Sequence, residues 1–460
     1  MLRSLYSLGW TLGLPAAFVY LLYRSLKQPE YRLHWRERLG GGERSTAGRR
    51  PLWIHAVSVG ETAAAAPLVR RLAAMHPQLT LLLTHATPTG RAAGRELFRD
   101  LGPRLRQCYL PYDLPFAVNR FLERQQPLCG LIMETEVWPN LMHATRAGKI
   151  PMAVVNARLS EKSLARGLKY RGLIAPAVAA FDVIIAQSPA DSSRIARLAR
   201  PADAVVGNLK FDQPVSEAAR RTGAMWRSRL APRRIIVAAS TRDGEEALLL
   251  QSWRSRHGRP VGAQAPAERI PEGPQELLVI VPRHPNRFET VAALIAEATP
   301  GGRLMRRADL DRAEGDIGDC QFLLGDSMGE MQSWYACADV VIMGGSLLPF
   351  GSQNLIEANA LGCPVVLGPS VFNFEQAATE SIAAGAAVQV ANSNAAVDAA
   401  RALAVDGGRR AAMSKAALAF AEAHRGATDR TLEALEPLLR RSFEAQSKTA
   451  RDPAGDQRGG

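Results

Sequence analysis

One carboxylate lies where an apolar run gives way to a helical pattern. The segment 55–61 (HAVSVGE) leaves the first predicted strand, so Glu61 is predicted in the first turn of the helix that follows. A carboxylate there can simply favour the helix dipole, typically by about 0.3–1 kcal/mol. It can also act as a general base toward a hydroxyl group. From the residues alone, both interpretations stay open.

Two further carboxylates end another apolar run. Glu134 and Glu136 are two residues apart, so on a strand they would share one face. Like charges that close raise one pKa, which is typical of functional sites. The alternative is that one of them caps the helix predicted near Asn140. Further along, Lys210 in the segment 208–212 (NLKFD) can neutralise a leaving phosphate, although a single lysine is more often a solvated surface charge.

Segments in the second half of the chain have residue types that bind phosphate. Arg283 follows an apolar run and offers a fork of donors. The loop 325–330 (GDSMGE) precedes a predicted helix, whose N-terminus would present backbone N–H groups to anions, and 344–346 is interpreted in the same way. Asn354 and Glu357 have capping-box spacing, and a glutamate there can also hold the hydroxyls of a ribose.

Composition narrows the class of protein. The net charge of +13 favours anionic partners such as nucleic acid, a membrane surface or a phosphorylated substrate. Because the basic residues are spread out and no nucleic-acid-binding motif accompanies them, we expect no nucleic-acid partner. The five cysteines and eight histidines show no ligand or pairing pattern. We therefore expect no metal site, no disulfide framework and a reducing compartment.

From residue 51, short apolar runs alternate with helical segments, which predicts an α/β protein. The pattern breaks near residues 212–216 and restarts, so we predict two Rossmann-like doubly wound domains that face a cleft, with ligands at the carboxyl ends of the strands. Strands are predicted at 52–57, 79–84, 108–110, 128–133, 152–156, 183–186, 235–239, 277–281, 322–324, 340–343 and 365–367. Helices are predicted, for example, at 62–75, 115–124 and 164–180.

The N-terminal segment is apolar. Residues 5–23 contain no charged side chain and approach the minimum length of a bilayer span. Five basic residues follow the segment: Arg24, Lys27, Arg32, Arg36 and Arg38. The positive-inside rule then puts the rest of the chain in the cytoplasm. Gly9, Gly13 and Pro15 weaken the span, so a helix in the membrane interface is an alternative; a cleaved signal peptide fits poorly, because no small-residue cleavage site follows.

These patterns divide the chain into four parts. We predict a membrane anchor at 1–25, an N-terminal Rossmann-like domain at 26–215 and a C-terminal Rossmann-like domain at 216–430. A terminal helix and a disordered tail are predicted at 431–460, with the disordered part from residue 446. The segment 254–275, rich in Pro, Gly and Arg, is interpreted as a surface loop or a disordered insertion.

Together the motifs resemble the Kdo (3-deoxy-D-manno-octulosonic acid) transferases of lipopolysaccharide biosynthesis, glycosyltransferase family 30. The matching segments follow the family's order from about residue 5 to residue 430. They are the basic run 31–40, HAVSVGE, TPTG, YLPYDLP, METEVWPN, NARLS, NLKFD, VPRHP, GDSMGE, GGSL, QNLIEA and FNF. The resemblance implies a GT-B architecture with the acceptor on the first domain and CMP-Kdo on the second, and an inverting reaction without a metal.

The resemblance also implies roles for individual residues. Glu61 would be the general base, and Glu134 and Lys210 would assist the transition state. The residues that would hold CMP are Pro282, Arg283, Met328, Gly329, Glu330, Asn354, Leu355, Ile356 and Glu357. Departures from the family, such as QNLIE where HNPLE is common and Arg242 where a histidine is common, bear on donor affinity.

The expected reaction is transfer of Kdo from CMP-Kdo to the lipid A precursor (lipid IVA), at the inner membrane with the catalytic domains on the cytoplasmic side. Two alternatives stay open: a GT-B enzyme that uses a UDP-sugar, and a membrane-tethered nucleotide-binding scaffold without activity.

Overall fold

The apolar runs of the first half form a seven-stranded parallel sheet, in the order β3-β2-β1-β4-β5-β6-β7. Its interior strand β1 (Leu52–His55) is buried on both faces, which is why its sequence is apolar without alternation. The other strands are β2 (Leu81–His85), β3 (Leu105–Tyr109), β4 (Cys129–Met133), β5 (Met152–Ala157), β6 (Val183–Ala186) and β7 (Ala204–Val205).

Helices cover both faces of this sheet. They are α1 (Leu2–Ser25), α2 (Val59–Met75), α3 (Pro88–Leu97), α4 (Pro115–Gln125), α5 (Pro139–Ala147), α6 (Glu161–Lys169), α7 (Arg171–Ala179) and α8 (Pro189–Leu198). A last helix, α17 (Ala427–Arg451), returns from the far end of the chain, and its leucines pack into the core of this sheet. The first unit is therefore Met1–Gln213 together with the segment that begins at Arg425.

The second unit, Pro214–His424, repeats the architecture with the strand order β10-β11-β9-β8-β12-β13-β14. Its strands are β8 (Arg234–Thr241), β9 (Glu276–Pro282), β10 (Met305–Arg306), β11 (Phe322–Leu324), β12 (Val340–Met343), β13 (Val365–Leu367) and β14 (Ala387–Gln389). Its helices are α9 (Glu217–Leu230), α10 (Glu245–Arg256), α11 (Phe288–Ala298), α12 (Met331–Cys337), α13 (Leu355–Ala360), α14 (Glu375–Ala383), α15 (Ser393–Val405) and α16 (Gly407–Ala423).

The computed structural model describes residues 1–45, 50–256, 276–299, 304–312 and 320–451. The insertion predicted at 254–275 lies outside these ranges except for its first three residues, which complete α10. The two predicted doubly wound parallel sheets are confirmed, and each predicted strand is present within a few residues of its expected bounds.

Two predictions about helices are wrong. The single helix expected at 164–180 is two helices, α6 and α7, which break at Tyr170 between the glycines 167 and 172, residues that weaken a helix. The disorder expected from residue 446 is wrong for residues 446–451, because α17 continues to Arg451. The remainder of that tail lies outside the described residues.

Candidate active site

The strand order of the first unit reverses between β1 and β4, which are paired neighbours. Crevices at the carboxyl ends of strands beside such a switch point are where doubly wound sheets bind ligands. Glu61 follows β1, and Glu134 follows β4 directly. The topology therefore brings together two acidic residues that the sequence separates widely.

Glu61 occupies the first turn of α2. Ser58 is the N-cap, and its hydroxyl accepts a hydrogen bond from the N–H of Glu61 (3.4 Å). The carboxylate of Glu61 turns back and accepts from the N–H of Val57 (2.6 Å). Glu61 therefore lies at the helix N-terminus, as one of the two interpretations predicts. The same hydrogen bonds fix its carboxylate at the end of β1.

Glu134 is held by an ion pair. Its Oε1 lies 2.9 Å from Nζ of Lys210, and both side chains are mostly buried. Glu134 has a left-handed backbone (φ 58°) and begins a turn after β4, and Glu136 follows in the loop, so neither lies on a strand as expected. Neither caps α5, because the carboxylate of Asp113 accepts from the first N–H groups of that helix instead. The view of Lys210 as a solvated surface charge is wrong.

Burial and neighbouring charges shift the pKa values of Glu61 and Glu136. The pKa of Glu61 is raised to about 8, first by burial and then by the charge of Glu134, against the lowering effects of the Val57 N–H and of Lys210. Burial also raises the pKa of Glu136, and the charge of Glu134 adds to that effect. A carboxyl whose pKa lies near neutrality can exchange a proton at physiological pH, which is what a general base needs.

Two asparagines position Lys210. Asn208 accepts from the N–H of Lys210 (3.0 Å), and Asn156, at the end of β5, accepts from the N–H of Leu209 (3.0 Å). Asn156 has a left-handed backbone (φ 56°), and its carbonyl accepts from the side chain of Gln187. The NLKFD turn is thereby tied to the carboxyl end of the sheet, next to Glu134.

A histidine that sequence reasoning did not single out contacts the turn between β1 and α2. Nδ1 of His85 is 3.0 Å from the carbonyl oxygen of Ala56, and the N–H of the same peptide group belongs to Val57, the donor to Glu61. With its nitrogen toward the ring, the amide of Gln107 donates to Nε2 of His85 (3.0 Å). The pKa of His85 is lowered to about 4, mainly by burial, so the ring is neutral and Nδ1 is the donor.

The switch point of the second unit lies between β8 and β12. The buried carboxylate of Glu245, at the start of α10, accepts from the N–H groups of Gly345 (2.7 Å) and Leu347 (3.0 Å). The prediction that 344–346 opens a helix with N–H groups available to an anion is therefore wrong. A turn follows instead, and α13 begins only at Leu355.

Arg283 and the start of α13 share an electrostatic environment. Arg283 follows β9 directly, and its charge acts on the carboxyl of Glu357, whose pKa is nevertheless raised because of burial. Asn354 is the N-cap of α13, and its amide nitrogen donates to Glu357 (2.8 Å). In the described part of the chain no carboxylate lies within ion-pair distance of the Arg283 guanidinium, which leaves this cation for a ligand.

The GDSMGE loop follows β11. Arg307 binds both carboxylate oxygens of Glu330 at 2.7 Å, and the hydroxyl of Ser327 donates to the same carboxylate. Gly329 has a left-handed backbone (φ 81°), which suits glycine, and Met328 is exposed. The loop thus presents its backbone, while the side chain of Glu330 is already bound.

Comparison with known proteins decides the family. The family model of 3-deoxy-D-manno-octulosonic-acid transferase matches residues 33–213. A 3-deoxy-D-manno-octulosonic acid transferase of Bordetella pertussis is 45% identical over 392 residues, which cover 85% of this chain and 87% of that protein. One from Haemophilus influenzae is 33% identical and covers 93% of this chain and 96% of its own length. The chain belongs to the 3-deoxy-D-manno-octulosonic acid transferase family.

Solved structures agree with the fold of this family member. The S. aureus MnaA–UDP structure has a TM-score of 0.57 at 13% identity and covers 85% of this chain and 97% of its own. A glycosyltransferase from Rickettsia africae has a TM-score of 0.55 at 13% identity, with coverages of 85% and 99%. At these identities the likeness concerns the fold alone, and it confirms the GT-B class.

The structure groups the predicted site residues of this family member by unit. Glu61, Glu134 and Lys210 meet in the first unit, and the nine residues predicted to hold CMP lie at the end of β9 or after β9, β11 and β12 in the second. Sequence reasoning missed His85, Asn156 and Glu245 as supports. His85 and Asn156 are polar residues at the end of an apolar run, which is the signal that could have indicated them. Glu245 lies four residues after β8, at the start of α10, where that signal is missing.

Proposed function

We propose that this protein transfers Kdo from CMP-Kdo to the lipid A precursor lipid IVA with inversion at the anomeric carbon. The carrying observation is the raised pKa of Glu61, about 8, in a cluster with Glu134 and Lys210 at the switch point. Membership of the Kdo transferase family is our reason for naming Kdo as the transferred sugar. We assign the acceptor to the first unit and the donor to the second.

In the proposed reaction Glu61 takes the proton of a glucosamine hydroxyl group. The oxygen then attacks the anomeric carbon of Kdo in a single displacement, and CMP leaves with its phosphate charge. Backbone amides and cations that are already fixed in place lower the free energy of the charge that develops in the transition state, because they need no reorganisation during the reaction. The Glu134–Lys210 pair assists the transition state, while Arg283, the backbone at 328–330 and the start of α13 hold CMP.

Two features of the second unit support binding of the donor there: the cation Arg283 and the capped N-terminus of α13. Arg283 has no carboxylate partner in the described ranges, and guanidinium groups bind phosphate through two parallel hydrogen bonds. Glu357 lies at the first turn of α13, where its carboxylate can accept from ribose hydroxyls. We propose that the reaction needs no metal ion, because basic groups such as Arg283 are available for the phosphate instead.

Product analysis tests the proposal. The purified full chain is incubated with lipid IVA and CMP-Kdo, and products are analysed by mass spectrometry, with and without excess EDTA. We expect addition of Kdo in both conditions. UDP-sugars in place of CMP-Kdo test the alternative donor. CMP binding without any product would instead indicate a nucleotide-binding scaffold, and activity lost in EDTA and restored by magnesium would contradict metal independence.

A further inference from the structure

A crevice of about 360 Å³ runs from Glu134 into the apolar side of the first sheet. We name it the α6–α8 crevice, since these helices and β5 and β6 bound it. Its deep wall is made of buried apolar side chains: Val154, Val178, Phe181, Ile184, Ile195 and Leu198. Packed cores leave few voids larger than a water molecule. The crevice has the size of a ligand pocket, so imperfect packing does not account for it.

The mouth of the crevice differs from its depth. Glu134 and Thr135, from the turn after β4, form one edge, and Ser163, Arg166 and Tyr170 of the α6 side form the other. Glu134 is also the ion-pair partner of Lys210. A ligand in the crevice would therefore begin at the cluster assigned to catalysis and extend away from it into apolar surroundings.

The junction of α6 and α7 carries an uncompensated positive charge. Arg166, Lys169 and Arg171 are all exposed, and no carboxylate of the described residues lies within ion-pair distance of any of them. The ammonium of Lys169 lies over the ring of Tyr170, 5.6 Å from its centroid. Such a cluster at the mouth favours a ligand whose head is anionic.

Helix α7 connects the crevice with the apolar N-terminal helix. Val178 and Ile174 of α7 face the crevice, while Gly172 contacts α1 so closely that a Cβ there would lie 2.7 Å from Cδ1 of Leu2. Helix α1 is long and apolar enough to associate with a membrane. The crevice thus shares one wall with the element best suited to a lipid surface.

We propose that the α6–α8 crevice holds one hydrocarbon chain of the acceptor, with the anionic head of that lipid at Arg166, Lys169 and Arg171. A sugar or a nucleotide would leave many polar groups without partners in this interior, whereas a hydrocarbon chain leaves none. At about 30 Å³ for each water-sized group, the space accepts on the order of ten methylene groups. The inference rests on the proposed function, because it takes the acceptor to be a lipid.

Acyl-chain selectivity is the first test. Val178→Phe fills the crevice and Val178→Ala enlarges it, and both are assayed with acceptors of graded acyl length and with a deacylated acceptor. For Val178→Phe we expect the ratio of kcat/KM for the long-chain acceptor to that for the deacylated acceptor to fall roughly tenfold, the usual effect of changed pocket volume. Val178→Ala should shift the preference toward longer chains. An unchanged ratio in both variants overturns the proposal; Ile174→Phe replaces Val178→Phe if the latter does not fold.

Photo-crosslinking on the unmodified chain is the second test, and it needs no turnover. An acceptor analogue with a diazirine at the end of one acyl chain is irradiated with the full-length protein in lipid nanodiscs, without donor. Adducts on Phe181, Ile184 or Ile195 are expected. Adducts confined to α1 overturn the crevice assignment even if Kdo transfer is normal. Adducts in the crevice without Kdo transfer to any acceptor would retain the assignment and remove the proposed function instead.

Discussion

The position of the Glu61 carboxyl group fits both roles that the sequence could not separate, helix capping and proton transfer. Its backbone N–H is capped by Ser58, and its side chain binds the Val57 N–H, so it completes the first turn of α2. The same position buries it beside Glu134 and raises its pKa. A group placed only for the helix dipole would gain from being ionised, whereas here burial opposes ionisation. That opposition indicates a role in proton transfer.

Glu61→Gln should separate the two roles. The amide keeps the size and the hydrogen bond from Val57 but cannot accept a proton, so turnover should fall at least about a hundredfold, the lower range for a lost general base. CMP affinity should be unchanged. Turnover, CMP affinity and melting temperature are measured on one variant. A loss of less than about fivefold would point instead to Glu134 or Glu136 as the base.

The same variant has a pH signature. Glu61 must be deprotonated to act, so wild-type turnover should rise with pH through a midpoint near 8. Because the pKa of the folded state exceeds the ordinary value of 4.5, the folded protein binds the extra proton, and stability falls as pH rises from about 4.5 to about 8. In Glu61→Gln neither the rise in turnover nor the fall in stability with pH should appear. Above about pH 8 the melting temperature of this variant should be no lower than that of wild type.

His85 is expected to be a positioning residue for Glu61. It donates to the Ala56 carbonyl, and the same peptide group donates its N–H to Glu61, so the two hydrogen bonds reinforce each other. His85→Leu should lower turnover roughly tenfold, short of the hundredfold that a full ångström of misplacement can cost. It should also move the pH midpoint upward, because the Glu61 carboxylate loses support. His85→Asn keeps a donor near Nδ1 and should restore the midpoint; a purely structural role would leave the midpoint unchanged in both variants.

Arg283→Ala should weaken the use of donor more than that of acceptor. A charge-assisted phosphate contact contributes about 1.5–3 kcal/mol, so we expect roughly a tenfold to hundredfold rise in KM for CMP-Kdo. Arg312→Ala, an exposed arginine paired with Asp309 in the same unit, is the matched control. An unchanged KM for donor in Arg283→Ala would remove this residue from the site.

Among the elements, most strands were predictable from the sequence. The turns that position the site residues were not. Continuous apolar runs such as β4 and β9 are buried on both faces, so their pattern indicates strand directly. The missed strands β7, β10 and β14 have two or three residues at or next to the sheet edges, too few to show any period. The positions of Glu134 and Asn156 depend on left-handed backbones fixed by neighbouring strands, which local residue types do not indicate.

Helix α17 offers a test at this scale. Although it follows the second unit in the chain, it packs on the first, and Asp212 accepts from the N–H groups of Gly426 (2.7 Å) and Thr428 at its start. Asp212→Ala should lower the free energy of unfolding by about 0.5–2 kcal/mol, the usual cost of a lost helix cap. Asp212→Asn keeps an acceptor and should cost less. Denaturant titration measures both, and equal stability of wild type and Asp212→Ala would show that this contact does not hold the helix.

For the molecule as a whole, α1 is the element compatible with a membrane anchor. One stripe of α1 faces the first unit along its length: Ser7 bonds Asn140 (3.1 Å), Trp10 stacks on Tyr112 (5.5 Å), and Phe18 packs on Trp35 (5.0 Å). The opposite face exposes leucines and Val19 to the surroundings. An exposed apolar face of this kind marks an interaction surface. Because α1 contacts the first unit near both of its ends, we infer that it lies along the membrane interface and does not cross the bilayer.

We therefore predict that α1 lies in the cytoplasmic interface and that both units face the cytoplasm, as the basic residues after α1 indicate. Ser4→Cys places a thiol near the start of α1, and the five native cysteines are buried, so background labelling is low. In intact spheroplasts a membrane-impermeant maleimide should not label this thiol, although it should after lysis. External protease should leave the catalytic units uncut. Labelling from outside would show that α1 spans the bilayer, since only a span exposes its first turn there; digestion of the units from outside would reverse the orientation.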